Sequence, residues 1–321
     1  MAQRALLVQP LDSVASVPVL PGMGHPFRIA ATLVILGFVW GGTPSLAKLA
    51  MAEGMAPLGV ACWTAAISAA ALLAVCAARG EMPGFTRAHW RHYLVGGFIG
   101  LSLANYFSFT GLSRAPAGLF ALLLPLSGLL TTLFFAMAGR EKATPRIILG
   151  TVFCTAGVML AMAPGAAMPD AALLPWAALM VLTPICYAAS NLLSVTLAVP
   201  GSKPLAQAAG TLLGAAVTVP LLAAPLGQLM LPPSGWVALV LLAQGVLTAA
   251  AYLVYFRLLT GSGGMVTSQV SYLTTLAGLL YGYLLFNEQP GWLTVPATLL
   301  IFGGVALVTL SGRAAVSPRR P

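Results

Sequence analysis

The sequence predicts an all-α integral membrane protein, with ten transmembrane helices arranged as two inverted five-helix repeats. Three observations predict it. Of 321 residues 59% are hydrophobic, and the mean hydropathy is +0.95, far above what a water-soluble core requires. Six residues are acidic and fifteen are Lys or Arg, and the basic ones gather in alternate gaps between long apolar stretches. A constant shift of 147 residues brings the two halves of the chain into register.

A membrane span needs about 20 mostly apolar residues. Continuous apolar runs, rather than alternating ones, make those spans helices and not barrel strands. The helices are expected over 29–50, 56–78, 91–113, 116–138, 146–164, 173–197, 205–224, 236–259, 264–286 and 292–311. The first five form a repeat over 29–164 and the second five a repeat over 173–311. Residues 1–28 and 312–321 read as cytoplasmic tails; the first lacks the charged start, apolar core and small-residue cleavage site of a secretory signal.

Orientation follows from the basic residues, which are retained on the cytoplasmic side near span ends. With the N-terminus inside, the inner segments collect Arg4, Arg28, Arg79, Arg87, Arg91, Arg140, Lys142, Arg146, Lys203, Arg257, Arg313, Arg319 and Arg320. The outer segments keep Arg114 and Lys48. Both termini are therefore expected in the cytoplasm. The net charge of +9 is spent on this asymmetry, so no nucleic-acid partner is expected. Cys62, Cys76, Cys154 and Cys186 fall inside apolar spans without metal or redox spacing, and read as small buried hydrophobes.

The shift of 147 places Trp40 on Tyr187, Pro57-Leu58 on Pro204-Leu205, Thr64 on Thr211 and Phe109 on Phe256. It also places Glu141 on Glu288 and Gly157-Val158 on Gly304-Val305. Five spans per half is an odd number, so the second half enters the membrane the opposite way up. Inverted repeats of this kind are typical of secondary transporters, with solute bound near the midplane between the halves.

Trp40-Gly41 followed by Lys48 in the first span, and Glu141 followed by Gly150 and Gly157-Val158, resemble the EamA-type domain of the drug/metabolite transporter superfamily. Glu288 with Gly303-Gly304-Val305 repeats the pattern in the second half. The resemblance covers residues 29–311 and identifies the family rather than the substrate. It implies a carrier in the bacterial inner membrane, and supports export of amino acids or similar compounds.

A solute path needs polar groups at depths where lipid does not tolerate them. Trp40, Thr43, Lys48, Asn105, Tyr106, Tyr187, Asn191, Gln244, Tyr252, Ser271 and Tyr272 are the candidate substrate-binding residues. Hydroxyls and amides supply hydrogen bonds, and aromatic faces supply apolar or cation–π contact. For each Ser or Thr the alternative is an ordinary interhelical bond, worth about 0.6 kcal/mol. Lys48 lies roughly 30 Å along the first helix from Arg28, where it either snorkels to water or attracts an anionic group. Pro44 and Pro184 are expected to kink helices 1 and 6, as a gate or as fixed packing geometry. Glu141 and Glu288 are expected as caps or polar anchors near the membrane surface.

No Asp or Glu lies within a predicted span core, which argues for gradient-driven movement by alternating access. Inward-facing Lys or Arg residues, needed for phosphate-bearing solutes, are almost absent from the spans. A small neutral or zwitterionic metabolite fits best, with drug-like cations or other metabolites as the alternative. An enzyme is not expected: His25, His89 and His92 are all on the cytoplasmic side, and no nearby acid completes a metal site around His89-x-x-His92. A non-transporting membrane scaffold is the other rival. No cofactor is expected; the partners are the solute and the lipid bilayer, and the chain is expected as a monomer or homodimer.

Overall fold

The computed structural model describes residues 25–139, 145–161, 163, 170–268, 270–289 and 291–315, with the backbone alone at 25–28, 30, 146–147, 151, 259–268, 272, 305–306 and 308–315. Glu141 lies outside the described residues. The helices are α1 (His25–Ala52), α2 (Pro57–Arg79), α3 (Arg87–Leu112), α4 (Ala117–Met137), α5 (Pro145–Ala161), α6 (Ala171–Thr196), α7 (Pro204–Ala223), α8 (Gly235–Ser268), α9 (Val270–Phe286) and α10 (Thr294–Ala315). Seven of them, α1–α4 and α6–α8, are long and apolar enough to cross a membrane. Shorter apolar stretches run through the other three, over 148–161, 273–286 and 294–304.

Local sequence sets many of the ends. Pro57 and Pro204 open α2 and α7 at the first turn, where a missing N–H costs nothing. Thr86 caps α3 by accepting the His89 N–H. Gly80 closes α2 at φ 63°, a left-handed turn that lets the Glu81 N–H reach the Cys76 carbonyl at 2.9 Å.

Two boundaries differ from the sequence reading by six residues or more. The eighth helix, expected to stop at 259, runs on to Ser268, and the ninth begins at Val270 rather than 264. The Gly- and Ser-rich stretch 260–264 looks like a break by propensity, yet Gly is common in membrane helices, where a bundle outweighs intrinsic preference.

Two helices are irregular. α3 contains a π-helical segment, Phe98–Leu103, in the middle of the rod. α4 is interrupted by a turn at Leu124-Pro125, since Pro125 has no N–H to continue the ladder.

The bundle is small inside and bulky outside. Ala47, Ala61, Ala208, Ala209, Ala215 and Ala277 are fully buried, whereas Val152, Leu221, Leu284 and Leu299 are exposed. That distribution is expected when the surroundings are hydrocarbon and close helix approach is the source of cohesion. α5 packs on α10, α1 on α8 and α9, α2 on α7 and α8, and α3 on α6 and α7, while α4 touches α6 and α9. Gly157 of α5 lies against Ala297 and Ile301 of α10, and Gly304 of α10 lies against Gly150 and Cys154 of α5. Each member of one contact is the other's counterpart at the shift of 147.

Candidate functional site

An aromatic and amide cluster joins the two halves. Trp40 on α1 stacks at a tilt on Tyr255 of α8, ring centroids 5.2 Å apart, and meets Tyr252 edge-on at 5.9 Å. Both separations lie in the favourable range for ring pairs. The Tyr255 hydroxyl donates to Asn191 Oδ1 on α6 at 2.8 Å, and Asn191 Nδ2 donates to Thr131 Oγ1 on α4 at 3.0 Å. The Thr131 hydroxyl in turn donates to the Ser127 carbonyl at 2.6 Å. Trp40, Tyr187, Asn191, Tyr252 and Tyr255 are all half-buried. The result is a continuous polar–aromatic surface contributed by α1, α4, α6 and α8.

Pro44 explains the neighbouring Thr43. A residue with an N–H at position 44 would bond the Trp40 carbonyl; proline cannot. The Thr43 hydroxyl takes that carbonyl instead, at 2.9 Å. In α6 the arrangement around Pro184 differs, because the Thr183 hydroxyl crosses to the Ala104 carbonyl of α3 at 3.3 Å.

Lys48 and Glu288, 240 residues apart, form an ion pair of 2.6 Å at one end of the bundle. Lys48 Nζ also donates to the Ala115 carbonyl at 3.2 Å and stands 4.7 Å from the centre of the Phe286 ring. Glu288 accepts the Ala117 and Gly118 N–H groups, both at 2.8 Å, at the start of α4. A carboxylate there satisfies two orphan donors and complements the helix dipole. Gly118 and Gly282 leave the space it occupies. The side chains are 21% and 17% exposed, so this is a partly desolvated pair. At the opposite end Lys203 pairs with Glu81 at 2.8 Å, which holds the Glu81 carboxyl below its ordinary range.

The other candidate residues are placed as follows. Asn105 and Tyr106 are half-buried on α3 just beyond the π-helical segment. Gln244 is 1% exposed, and its Oε1 has no hydrogen-bond partner among the described residues. Ser271 is buried in α9, its carbonyl accepting the Thr275 hydroxyl at 2.9 Å. The Tyr272 side chain lies outside the described residues. His89 is engaged by the Thr86 hydroxyl at 2.7 Å and Ser202 at 3.3 Å. Sequence reasoning missed Tyr255 and Thr131. Tyr255 follows Tyr252 by three residues, a spacing that puts both rings on one helix face and that signals a paired site.

Comparison with known proteins agrees with this architecture. An uncharacterised protein of Pseudomonas aeruginosa is 32% identical over 202 residues, which cover 62% of this chain and 68% of the relative. A solved crystal structure shares the fold with a TM-score of 0.61 at 22% identity, covering 89% of this chain and 99% of the other. The EamA-like transporter family matches twice, over residues 28–163 and 174–310. With both halves accounted for, the chain is a multi-pass membrane protein that belongs to the EamA-like transporter family, within the drug/metabolite transporter superfamily.

Proposed function

We propose that this transporter exports small neutral or zwitterionic metabolites, of amino-acid size, across the bacterial inner membrane by alternating access. The observation that carries the reading is the Trp40–Tyr255–Asn191–Thr131 chain, where helices from both halves meet in one aromatic and hydrogen-bonding surface. Its groups are uncharged, and Lys48 is neutralised by Glu288. A solute with a compact polar head and an apolar body matches that chemistry, whereas phosphate esters would leave their charge uncompensated. Cations are the second reading, because three close aromatic rings attract an ammonium group.

The helix pairing supports ten spans in two inverted repeats. Exchanging the halves turns α1–α9 into α6–α4, α3–α7 into α8–α2 and α1–α8 into α6–α3, and every one of these contacts is present. With five spans per repeat, the distribution of basic residues favours both termini in the cytoplasm and Lys48 at the outer face.

Counterflow into proteoliposomes, with a pooled panel of labelled amino acids, other metabolites and lipophilic cations, tests the reading. Exchange of a zwitterion, lost in Trp40→Ala protein that elutes and melts like wild type, is the expected result. Exchange confined to cations would replace the zwitterion reading with the second one, and no exchange at all would argue for a non-transporting role.

A further inference from the structure

The seam between α1, α4 and α9 beside Lys48 is dry. Gly37 and Gly41 of α1 approach Leu273, Thr274 and Ala277 of α9 so closely that a methyl group would collide with the Leu273 and Ala277 β-carbons and the Thr274 carbonyl. Gly278 meets Ala121 of α4 in the same way. The space left between Gly41, Pro44, Ser45, Phe120, Ala121 and Gly278 has no room for a water molecule. Ser45 is 1% exposed there, and its hydroxyl has no hydrogen-bond partner among the described residues. A hydroxyl held this way carries a free-energy cost that vanishes once water reaches it. One helical turn further on stands Lys48.

The equivalent seam in the other half is made of different chemistry. At the shift of 147, Gly41 becomes Ala188, Pro44 becomes Asn191, and Thr274 and Gly278 become Ser127 and Thr131. Asn191, Ser127 and Thr131 are half-buried, and Asn191 bonds Thr131. Val195 stands where Lys48 would be. The ion pair at that end, Lys203–Glu81, is 63% and 27% exposed. Solvated pairs of that kind contribute little.

We propose that Lys48 and Glu288, with the Ala115 carbonyl and the first amides of α4, are the lock that holds the α1–α4–α9 seam shut. The α4–α6 seam, polar and half-buried where the other is dry, is then the more accessible side of this conformation. The proposal rests on the transporter reading and gives its site a regulator: release of one ion pair admits water, and then solute, along the face of α1 that carries Ser45. The lock is built by both halves, since Lys48 comes from the first and Glu288 from the second.

Thiol accessibility tests it without knowledge of the solute. Ser45→Cys and Asn191→Cys are made separately, and reaction with a membrane-impermeant thiosulfonate is read by peptide mass spectrometry on sealed vesicles of each orientation. Buried Cys154, between α5 and α10, is the internal control. The thiol at position 45 is expected to be protected while the lock is intact. Lys48→Met and Glu288→Gln should each raise its labelling from the Lys48 face about tenfold or more, with Cys154 still protected. Continued protection of position 45 in both variants overturns the lock. So does equal labelling of Cys154, which would mean general loosening. Position 191 separates this from the transporter reading. A fall in its labelling as position 45 opens shows two reciprocal seams, whereas opening at 45 with no change at 191 keeps the lock and removes alternating access.

Discussion

Tyr255 does two jobs with one side chain: its ring backs Trp40, and its hydroxyl fixes Asn191, which in turn holds Thr131. Tyr255→Phe keeps the ring and deletes the hydrogen bond, leaving Asn191 Oδ1 without its donor. A neutral hydrogen bond is worth about 1 kcal/mol, so apparent solute affinity should weaken about fivefold. The concentration dependence of counterflow measures this, and an unchanged half-saturation would remove the Tyr255–Asn191 bond from the site. Individual residues were legible where chemistry stood out against lipid, as with Trp40, Asn191 and Tyr252. The roles of Thr43 and Lys48 were not, because each is decided by a partner. Thr43 serves the carbonyl that Pro44 leaves free, and Lys48 meets an acid on a distant helix. Glu288 was legible as a cap, but which helix it caps was not.

Among the elements, the π-helical segment of α3 has a sequence explanation. Gly97 lies against the Thr211 carbonyl and Gly214 of α7, and Gly245 of α8 lies against the Thr64 carbonyl and Ile67 of α2. These contacts make Gly97 the counterpart of Gly245, a shift of 148, while Phe109 and Phe256 remain at 147. α3 therefore contains one more residue than α8 between equivalent points. The wide turn over Phe98–Leu103 absorbs it, and the Ser102 hydroxyl helps by donating to the Gly97 carbonyl at 3.3 Å. Deleting Ile99 should yield a regular helix with both flanks in place, and so leave the elution volume and melting temperature close to wild type. Deleting Leu247 from α8, where no such turn exists, should abolish folding. Equal damage from both deletions would refute the insertion. The all-helical character and the approximate positions of the helices were legible from the apolar runs. The π-helical segment was not, since a single extra residue leaves hydropathy unchanged, and neither was the continuation of α8 through its glycines.

At the scale of the whole molecule, the repeat was legible because a few rare residues, such as Glu288 and Gly157, mark it against a background of Leu and Ala. Which face of each helix meets which neighbour was not, since membrane helices cohere through shape and small residues rather than through a hydrophobic stripe. Both ion pairs among the described residues, Lys48–Glu288 and Lys203–Glu81, tie one half to the other. That has a consequence for how the chain is made. A ribosome adds about 5–20 residues per second, so Lys48 waits roughly 12 to 48 seconds before Glu288 is synthesised. During that interval the nascent first half holds an uncompensated cation at the rim of the bilayer and an uncapped α4. Residues 1–164 expressed alone should consequently be cleared by membrane proteases, and should accumulate when residues 165–321 are supplied from a second message. Pulse–chase labelling would show it: the lifetime of the early half is set by the arrival of the late one.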